Sequence, residues 1–390
     1  MSSDLTAPFI SYARSIFGDY FIPLHRPIFE GNERQYLVDC IDSNFVSSVG
    51  ERVGEFEKLV AEFTGSKHAI ATVNGTAALH IALELSGVEP GDEVISQALT
   101  FIATCNAISY VGAKPLFVDV DIDTMGLSPV ALKRFLEENA EKRKRGTFNK
   151  ISGKKISACV PMHTFGFPCR IAEIAEICAD WDIALIEDAA ESLGSYAGES
   201  HTGTFSSMAT LSFNGNKVIT TGGGGMIITN SSELAKRAKH ITTTAKVPHP
   251  YEFVHDEKGY NYRMPNLNAA LGCAQMERLD EFLIIKAQLA DQWDAFFHDK
   301  DVDFMKAING NNANHWLNTI IFGSRLDRDE FLKITNDNNV MTRPIWTLMS
   351  KLPMFEDCQT DGLKNSLWLE DRVVNIPSSI PDGALNKMNK

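Results

Sequence analysis

Apolar runs alternate with helical patterns through the first two-thirds of the chain. Ala69-Ile70-Ala71-Thr72-Val73 reads as a buried strand, and Asn74-Gly75-Thr76 then opens an apolar helix from Ala77 to Leu85. Pro90-Gly91-Asp92 predicts a turn before a strand at Glu93-Val94-Ile95-Ser96, followed by a helix from Ile102 to Tyr110. Further strands are expected at Pro115-Leu116-Phe117-Val118-Asp119-Val120 and at Ile156-Ser157-Ala158-Cys159-Val160-Pro161. After a helix from Ile171 to Asp180 comes Ile183-Ala184-Leu185-Ile186, whose end carries Glu187-Asp188. Strands that are apolar throughout and separated by helices imply a largely parallel sheet covered on both faces. Beyond residue 265 the pattern changes to long helix, Asn268 to Phe282 continuing to Phe297, and short strands near Thr319-Ile320-Ile321-Phe322, which suggests a smaller α+β unit. The expected division is an N-terminal segment 1–30, a large domain 31–264 and a small C-terminal domain 265–390.

Composition narrows the function classes. A chain of 390 residues, 44% hydrophobic and 22% charged, has the make-up of a globular protein with a substantial core. No stretch reaches the roughly 18 apolar residues of a membrane span, and Met1-Ser2-Ser3-Asp4 lacks the basic start of a signal peptide, so a cytoplasmic location without a membrane partner is expected. The net charge of −13 disfavours nucleic acid as a partner. The one dense basic run, Lys142-Arg143-Lys144-Arg145 with Lys150, Lys154 and Lys155 beyond, has no interleaved aromatics to stack bases and reads as a solvated helix end and loop. Seven scattered cysteines without a C-x-x-C pair point to reduced thiols, and His249 and His255 fit no ligand spacing, so no metal is expected.

Sheets of this kind bind ligands at the carboxyl ends of their strands, where both Asn74-Gly75-Thr76 and Asp188 fall. Gly75 lets backbone approach a ligand, and the Thr76 hydroxyl with the free N–H groups of a helix start suits an anion such as phosphate; a plain helix cap explains the same residues. A carboxylate at Asp188 needs a cationic partner, which a protonated pyridine nitrogen would supply, or else caps a helix. Glu187 points the opposite way if both lie on a strand. Lys217, in Ser212-Phe213-Asn214-Gly215-Asn216-Lys217 ahead of Gly222-Gly223-Gly224-Gly225, is either a surface lysine beside a glycine loop or an amine able to form a Schiff base with an aldehyde cofactor. Ser212 adds a second hydroxyl for phosphate. The glycines follow the lysine instead of preceding it, which argues against a nucleotide phosphate loop and for a tight turn.

These segments together resemble the DegT/DnrJ/EryC1/StrS family of nucleotide-sugar aminotransferases that use pyridoxal phosphate. The likeness is carried by Asn74-Gly75-Thr76-Ala77-Ala78-Leu79-His80, Pro90-Gly91-Asp92-Glu93-Val94-Ile95, Leu99-Thr100-Phe101-Ile102-Ala103-Thr104, Glu187-Asp188-Ala189-Ala190, Ser212-Phe213 through Lys217 to Gly222, and Gly259-Tyr260-Asn261-Tyr262-Arg263-Met264. It implies an α/β fold of the aspartate-aminotransferase type, with a large mixed seven-stranded sheet, a small C-terminal α+β domain, and a homodimer with active sites shared between subunits. By position, Lys217 resembles the Schiff-base lysine, Asp188 the partner of the pyridine nitrogen, and Phe101 the aromatic that stacks on the ring. Gly75, Thr76 and Ser212 resemble the phosphate-binding group, which Asn261 of the second subunit would complete. His163 and Arg343 occupy family positions near the sugar or the donor carboxylate, with a structural histidine and a surface ion pair as the competing readings.

Two positions depart from the commonest pattern: Glu191 replaces glutamine or histidine, and Gly223 replaces glutamate. With Phe213-Asn214-Gly215-Asn216 and Asn375-Ile376-Pro377-Ser378-Ser379 they most resemble the LegC-type branch. The resemblance therefore implies transfer from L-glutamate to C4 of a UDP-linked 4-keto-6-deoxy-N-acetylhexosamine. A GDP-perosamine-type or C3 aminotransferase and a non-enzymatic cofactor-binding regulator are the alternatives. A dehydratase of the same family would carry histidine where Lys217 stands.

Overall fold

The computed structural model of the protein describes residues 2–385. Seven strands, β1 (His68–Thr72), β2 (Glu93–Gln97), β3 (Lys114–Val118), β4 (Ile156–Val160), β5 (Ala184–Asp188), β6 (Met208–Ser212) and β7 (Gly225–Thr229), form one sheet in the order β1-β7-β6-β5-β4-β2-β3. The β6-β5-β4-β2-β3 run is parallel, and β7 lies antiparallel to both β1 and β6. The sheet is thus mixed, as the family resemblance implies. Its strands are buried almost throughout, because helices such as Gly75–Leu85 and Ile171–Asp180 cover both faces.

Strand β7 is not among the expected strands, although Met226-Ile227-Ile228 is an apolar run, because it directly follows four glycines that read as a turn. Its register explains the need for glycine. Gly225 pairs with Thr72 on one side and Ser212 on the other, and a Cβ there would lie 2.3 Å from the Asn74 carbonyl carbon and oxygen. The glycine brings the ends of β1 and β6 together with the helix start at residue 75.

A second sheet, Val302–Phe304, Asn318–Phe322, Val373–Ile376 and Arg343–Pro344 in that order, forms the C-terminal α+β region. The helical pattern after residue 265 is two helices, Asn266–Met276 and Leu279–Phe297. The first packs beside the helices Glu33–Asp42 and Glu51–Thr64. The N-terminal helix Ser2–Phe17 reaches across to the opposite chain end: Phe9 packs with Trp293, Phe297 and Phe331 in one apolar cluster.

The two regions are joined along β3, an edge strand. Phe117 N–H donates to the Gln359 carbonyl (2.9 Å) and Asp361 N–H to the Phe117 carbonyl (3.2 Å), which covers that edge. Just beyond, the Asp119 carboxylate accepts from Asn365 N–H (2.7 Å), Ser366 N–H (2.8 Å) and the Ser366 hydroxyl (2.6 Å), at the start of the helix Lys364–Glu370.

The basic run is a correction to the expected helix end. Residues Ala140–Arg143 and Gly146–Asn149 form a β-hairpin that turns at Gly146, whose φ of 118° favours glycine. Lys142 and Arg143 pair there with Asp182 and Glu141. All seven cysteines are buried free thiols. No helix among the described residues is long and apolar enough to cross a membrane.

Candidate active site

The site forms where β1, β5 and β6 end. Asn74 caps the helix Gly75–Leu85, its side chain accepting from Ala77 N–H (2.8 Å) and its carbonyl from Ala78 N–H (3.2 Å). The N–H groups of Gly75 and Thr76 then point out of the helix start without a protein acceptor among the described residues, at the positive end of its dipole. A Cβ on Gly75 would meet the Ser212 side chain at 3.0 Å, so the hydroxyl of Ser212 stands beside these N–H groups. The cap therefore leaves room for an anion at the same helix start.

The alternation of β5 splits Glu187 from Asp188. Glu187 is wholly buried and accepts from His163 Nε2 (3.2 Å), Gly203 N–H (2.7 Å), Phe205 N–H (2.8 Å) and Ser206 N–H (2.9 Å). Burial alone would raise its carboxyl, but His163 and these donors hold it below the usual range. Asp188 turns to the other side, accepting from the Thr104 hydroxyl (2.7 Å) and Ala190 N–H (3.1 Å). Burial raises its carboxyl above the ordinary range despite those bonds. Both donors are neutral, so this carboxylate still wants a cation.

Lys217 Nζ lies 3.1 Å from Glu191 Oε1 and 3.9 Å from the centre of the Trp316 ring. Glu191 is buried, and its Oε2 accepts from Phe165 N–H (2.9 Å). Burial pushes its carboxyl upward, with Lys217 opposing. Phe165 sits at φ 56°, a left-handed conformation costly for a phenylalanine, and is held there by neighbours: Gly166 is packed so tightly that a Cβ would fall 2.0 Å from Asn314 Oδ1. Phe101 is 47% exposed at the start of the helix Ile102–Tyr110, its ring 6.1 Å from that of Trp346. It is available for stacking.

Three of the expected residues stand apart from this group. His163 has both ring nitrogens engaged, Nε2 with Glu187 and Nδ1 with Cys169 N–H (3.2 Å), and no exposed surface, so the structural reading of this histidine fits its position. Arg343 is exposed on the second sheet, donating to Asn336 Oδ1 and the Thr342 carbonyl, both at 2.8 Å. Asn261 is exposed and accepts from Arg263 Nε (3.0 Å). Sequence reasoning did not single out Thr104, Phe165, Asn314 or Trp316. Thr104 alone carried a signal, lying inside the quoted Leu99–Thr104 segment one helical turn from Phe101.

These residues fit pyridoxal phosphate. A buried carboxylate without a cation, beside the buried and unpartnered Thr210 hydroxyl at the paired position of β6, suits a protonated ring nitrogen, and the Gly75–Thr76–Ser212 cradle suits the phosphate. Residues 27–382 match the model of the DegT/DnrJ/EryC1/StrS aminotransferase family. The chain belongs to the DegT/DnrJ/EryC1/StrS aminotransferase family. Like its expected relatives in that family, it is a pyridoxal-phosphate-dependent aminotransferase. It is 35% identical over 360 residues to the GDP-perosamine synthase of Vibrio cholerae, covering 92% of this chain and 94% of that one. It is 36% identical over 336 residues to the putative pyridoxal phosphate-dependent aminotransferase EpsN of Bacillus subtilis, covering 86% and 84%. The DegT/DnrJ/EryC1/StrS fold recurs in the putative sugar aminotransferase Spr1654 of Streptococcus pneumoniae, with a TM-score of 0.84 at 19% identity over 95% of this chain and 96% of that one.

Proposed function

We propose that the protein moves an amino group from L-glutamate to C4 of a nucleotide-linked 4-keto-6-deoxy sugar in the cytoplasm, toward a surface glycan. The observation that carries the chemistry is the convergence of Lys217, Asp188 and the Gly75–Ser212 cradle at three strand ends. Lys217 would bind the cofactor covalently, Asp188 would hold its ring nitrogen protonated, Gly75, Thr76 and Ser212 would take its phosphate, and Phe101 would cover its ring. Once bound, the cofactor supplies an electron sink for the carbanion that forms when the donor's α-hydrogen leaves. The Lys217 amine takes that proton from the donor's α-carbon, and in the second half-reaction it delivers a proton at C4 of the sugar. Glu191 Oε1 holds the freed ammonium within hydrogen-bond reach.

For the sugar, relatives at 35% identity named as GDP-perosamine synthases favour a GDP-linked keto sugar and move the LegC-type reading to second place. The UDP-linked N-acetylated sugar keeps its own support from the Phe213–Asn216, Gly223 and Asn375–Ser379 segments. C3 amination has no such segment in its favour.

The shared-site homodimer is also part of this reading. Phe29, Ile41, Phe45, Val49, Tyr251 and Phe253 are each more than half exposed, and Asn261 lies beyond the last of them on an open surface. Purified protein mixed with L-glutamate should lose its bound-cofactor absorbance, and the matching keto sugar should restore it. GDP-linked and UDP-linked 4-keto sugars tested side by side decide between the two. A spectrum indifferent to glutamate would mark a regulator and overturn the enzymatic reading.

A further inference from the structure

Lys286 is a buried lysine that takes no part in the chemistry above. It lies on the inner side of the helix Leu279–Phe297, 1% exposed, and its Nζ donates to the carbonyls of Ser378 (2.7 Å) and Trp316 (3.3 Å). Neither partner is a carboxylate. Burial lowers its pKa to about 7. A methionine would fill similar volume without that desolvation, so what a lysine adds here is its pair of hydrogen bonds.

The two carbonyls differ in how firmly they are held. Residues 377–378 are fixed independently of Lys286: Ser378 N–H donates to the Leu24 carbonyl (2.7 Å), its hydroxyl accepts from Asn318 N–H (2.7 Å), and Trp293 Nε1, two turns along the same helix, donates to the Pro377 carbonyl (3.1 Å). Trp316 follows His315, whose φ of 50° is left-handed and strained for a non-glycine residue, so its placement depends on bonds from outside. Asn314 Oδ1 accepts from the Trp316 N–H (2.9 Å) and Lys286 donates to the Trp316 carbonyl. The side chain so placed is the one against the cofactor lysine. Indole Nε1 donates to the carbonyl of Asn216 (2.6 Å), the residue before Lys217, and the ring face meets Lys217 Nζ.

We propose that Lys286 is a positioning residue for Lys217: it ties the Trp316 carbonyl to the fixed 377–378 strap and so sets the indole that holds Asn216 and the Lys217 amine in place. This rests on the reading of Lys217 as the cofactor-bearing residue. His25 and His315 lie within electrostatic reach of Lys286, Lys217 acts on His25, and Asp188 and Glu191 face Lys217.

The experiment titrates the visible absorbance of the holoenzyme's bound cofactor against pH and measures steady-state kinetics beside it. Lys286→Met should move the titration midpoint by about half a unit or more, and lower kcat about tenfold while changing KM for the keto sugar less than about twofold. Trp316→Phe keeps a ring face but loses the bond to Asn216, and should move the midpoint in the same direction. In a Trp316→Ala background, Lys286→Met should add nothing, because the two act in series. A folded Lys286→Met enzyme with an unmoved midpoint overturns the proposal, as does a shift that persists in full without Trp316. If Lys286→Met fails to fold, the Trp316→Phe titration decides alone, and an unmoved midpoint there is negative. A Lys217→Ala protein that kept the pH-dependent absorbance would instead sink the assignment of Lys217, a separable outcome.

Discussion

Within the pair Glu187–Asp188, one peptide bond separates a carboxylate held by five protein donors from one that has only neutral donors. On the role proposed for Asp188, Asp188→Asn should leave the fold intact and reduce kcat by about a hundredfold or more, because the ring nitrogen would lose the charge that keeps it protonated. Glu187→Gln should act on stability: removing one partner strands His163, and breaking a buried pair costs about 3–5 kcal/mol. Glu187 carries the pH signature of this arrangement: its donors hold its carboxyl below the usual range despite burial, so its stabilising contribution is complete above the unfolded value of about 4.3 and fades as pH falls below it. Chemical unfolding through the acid range, wild type against Glu187→Gln, should show this slope only in the wild type. The opposed directions of Glu187 and Asp188 were readable from strand alternation alone. The engagement of His163 was not, because Cys169 and Glu187 meet it only when three chain segments converge.

At the scale of elements, the strand order sets the cradle. Gly225→Ala would press a methyl group against the Asn74 carbonyl, between backbone segments that cannot yield, so a loss of about 1–3 kcal/mol in thermal unfolding and weaker cofactor retention are expected. A variant with unchanged stability would show that β7 can shift without harm. The helix Leu279–Phe297 carries a second pH signature. Lys286 has its pKa lowered to about 7 by burial, so between that value and the usual one near 10.4 the unfolded chain binds the additional proton, and stability rises with pH across the window. The difference in unfolding free energy between wild type and Lys286→Met should therefore drift in favour of wild type as pH rises through that range. Strands β1 to β5 and the helices Gly75–Leu85, Ile102–Tyr110 and Ile171–Asp180 between them were legible because continuous apolar runs mark them, whereas β6 at Met208–Ser212 and the helices Glu33–Asp42 and Glu51–Thr64 were not singled out. Strand β7 and the hairpin at residues 140–149 were not singled out either: the apolar Met226-Ile227-Ile228 of β7 follows a glycine run that reads as a turn, and charged residues dominate the first strand of the hairpin.

For the whole molecule, the order of motifs along the chain was enough for the fold and the cofactor, because the segments at residues 74–80, 99–104, 187–190 and 212–222 fall at or just past the carboxyl ends of strands that the sheet gathers side by side. Trp316 and Asn314 escaped notice: they come from the C-terminal region, far in sequence, and neither belongs to a quoted motif. The proposed shared-site dimer gives a test at this scale. Lys217→Ala and Asn261→Ala proteins should each be nearly inactive alone, yet mixed and allowed to exchange subunits they should recover about a quarter of wild-type activity, since half the dimers then hold one intact site. No recovery, with exchange verified, would place Asn261 outside the partner's site. A larger consequence lies in the seam at β3, where residues 359–361 extend the sheet and the Asp119 carboxylate grips the start of the helix Lys364–Glu370. Two regions sewn along a shared strand edge resist hinging there. A bulky nucleotide-linked sugar must therefore be admitted by the rearrangement of surface side chains and loops around a rigid frame, and hydrogen exchange should find the amides of residues 117, 361, 365 and 366 as protected as the sheet itself, with or without substrate.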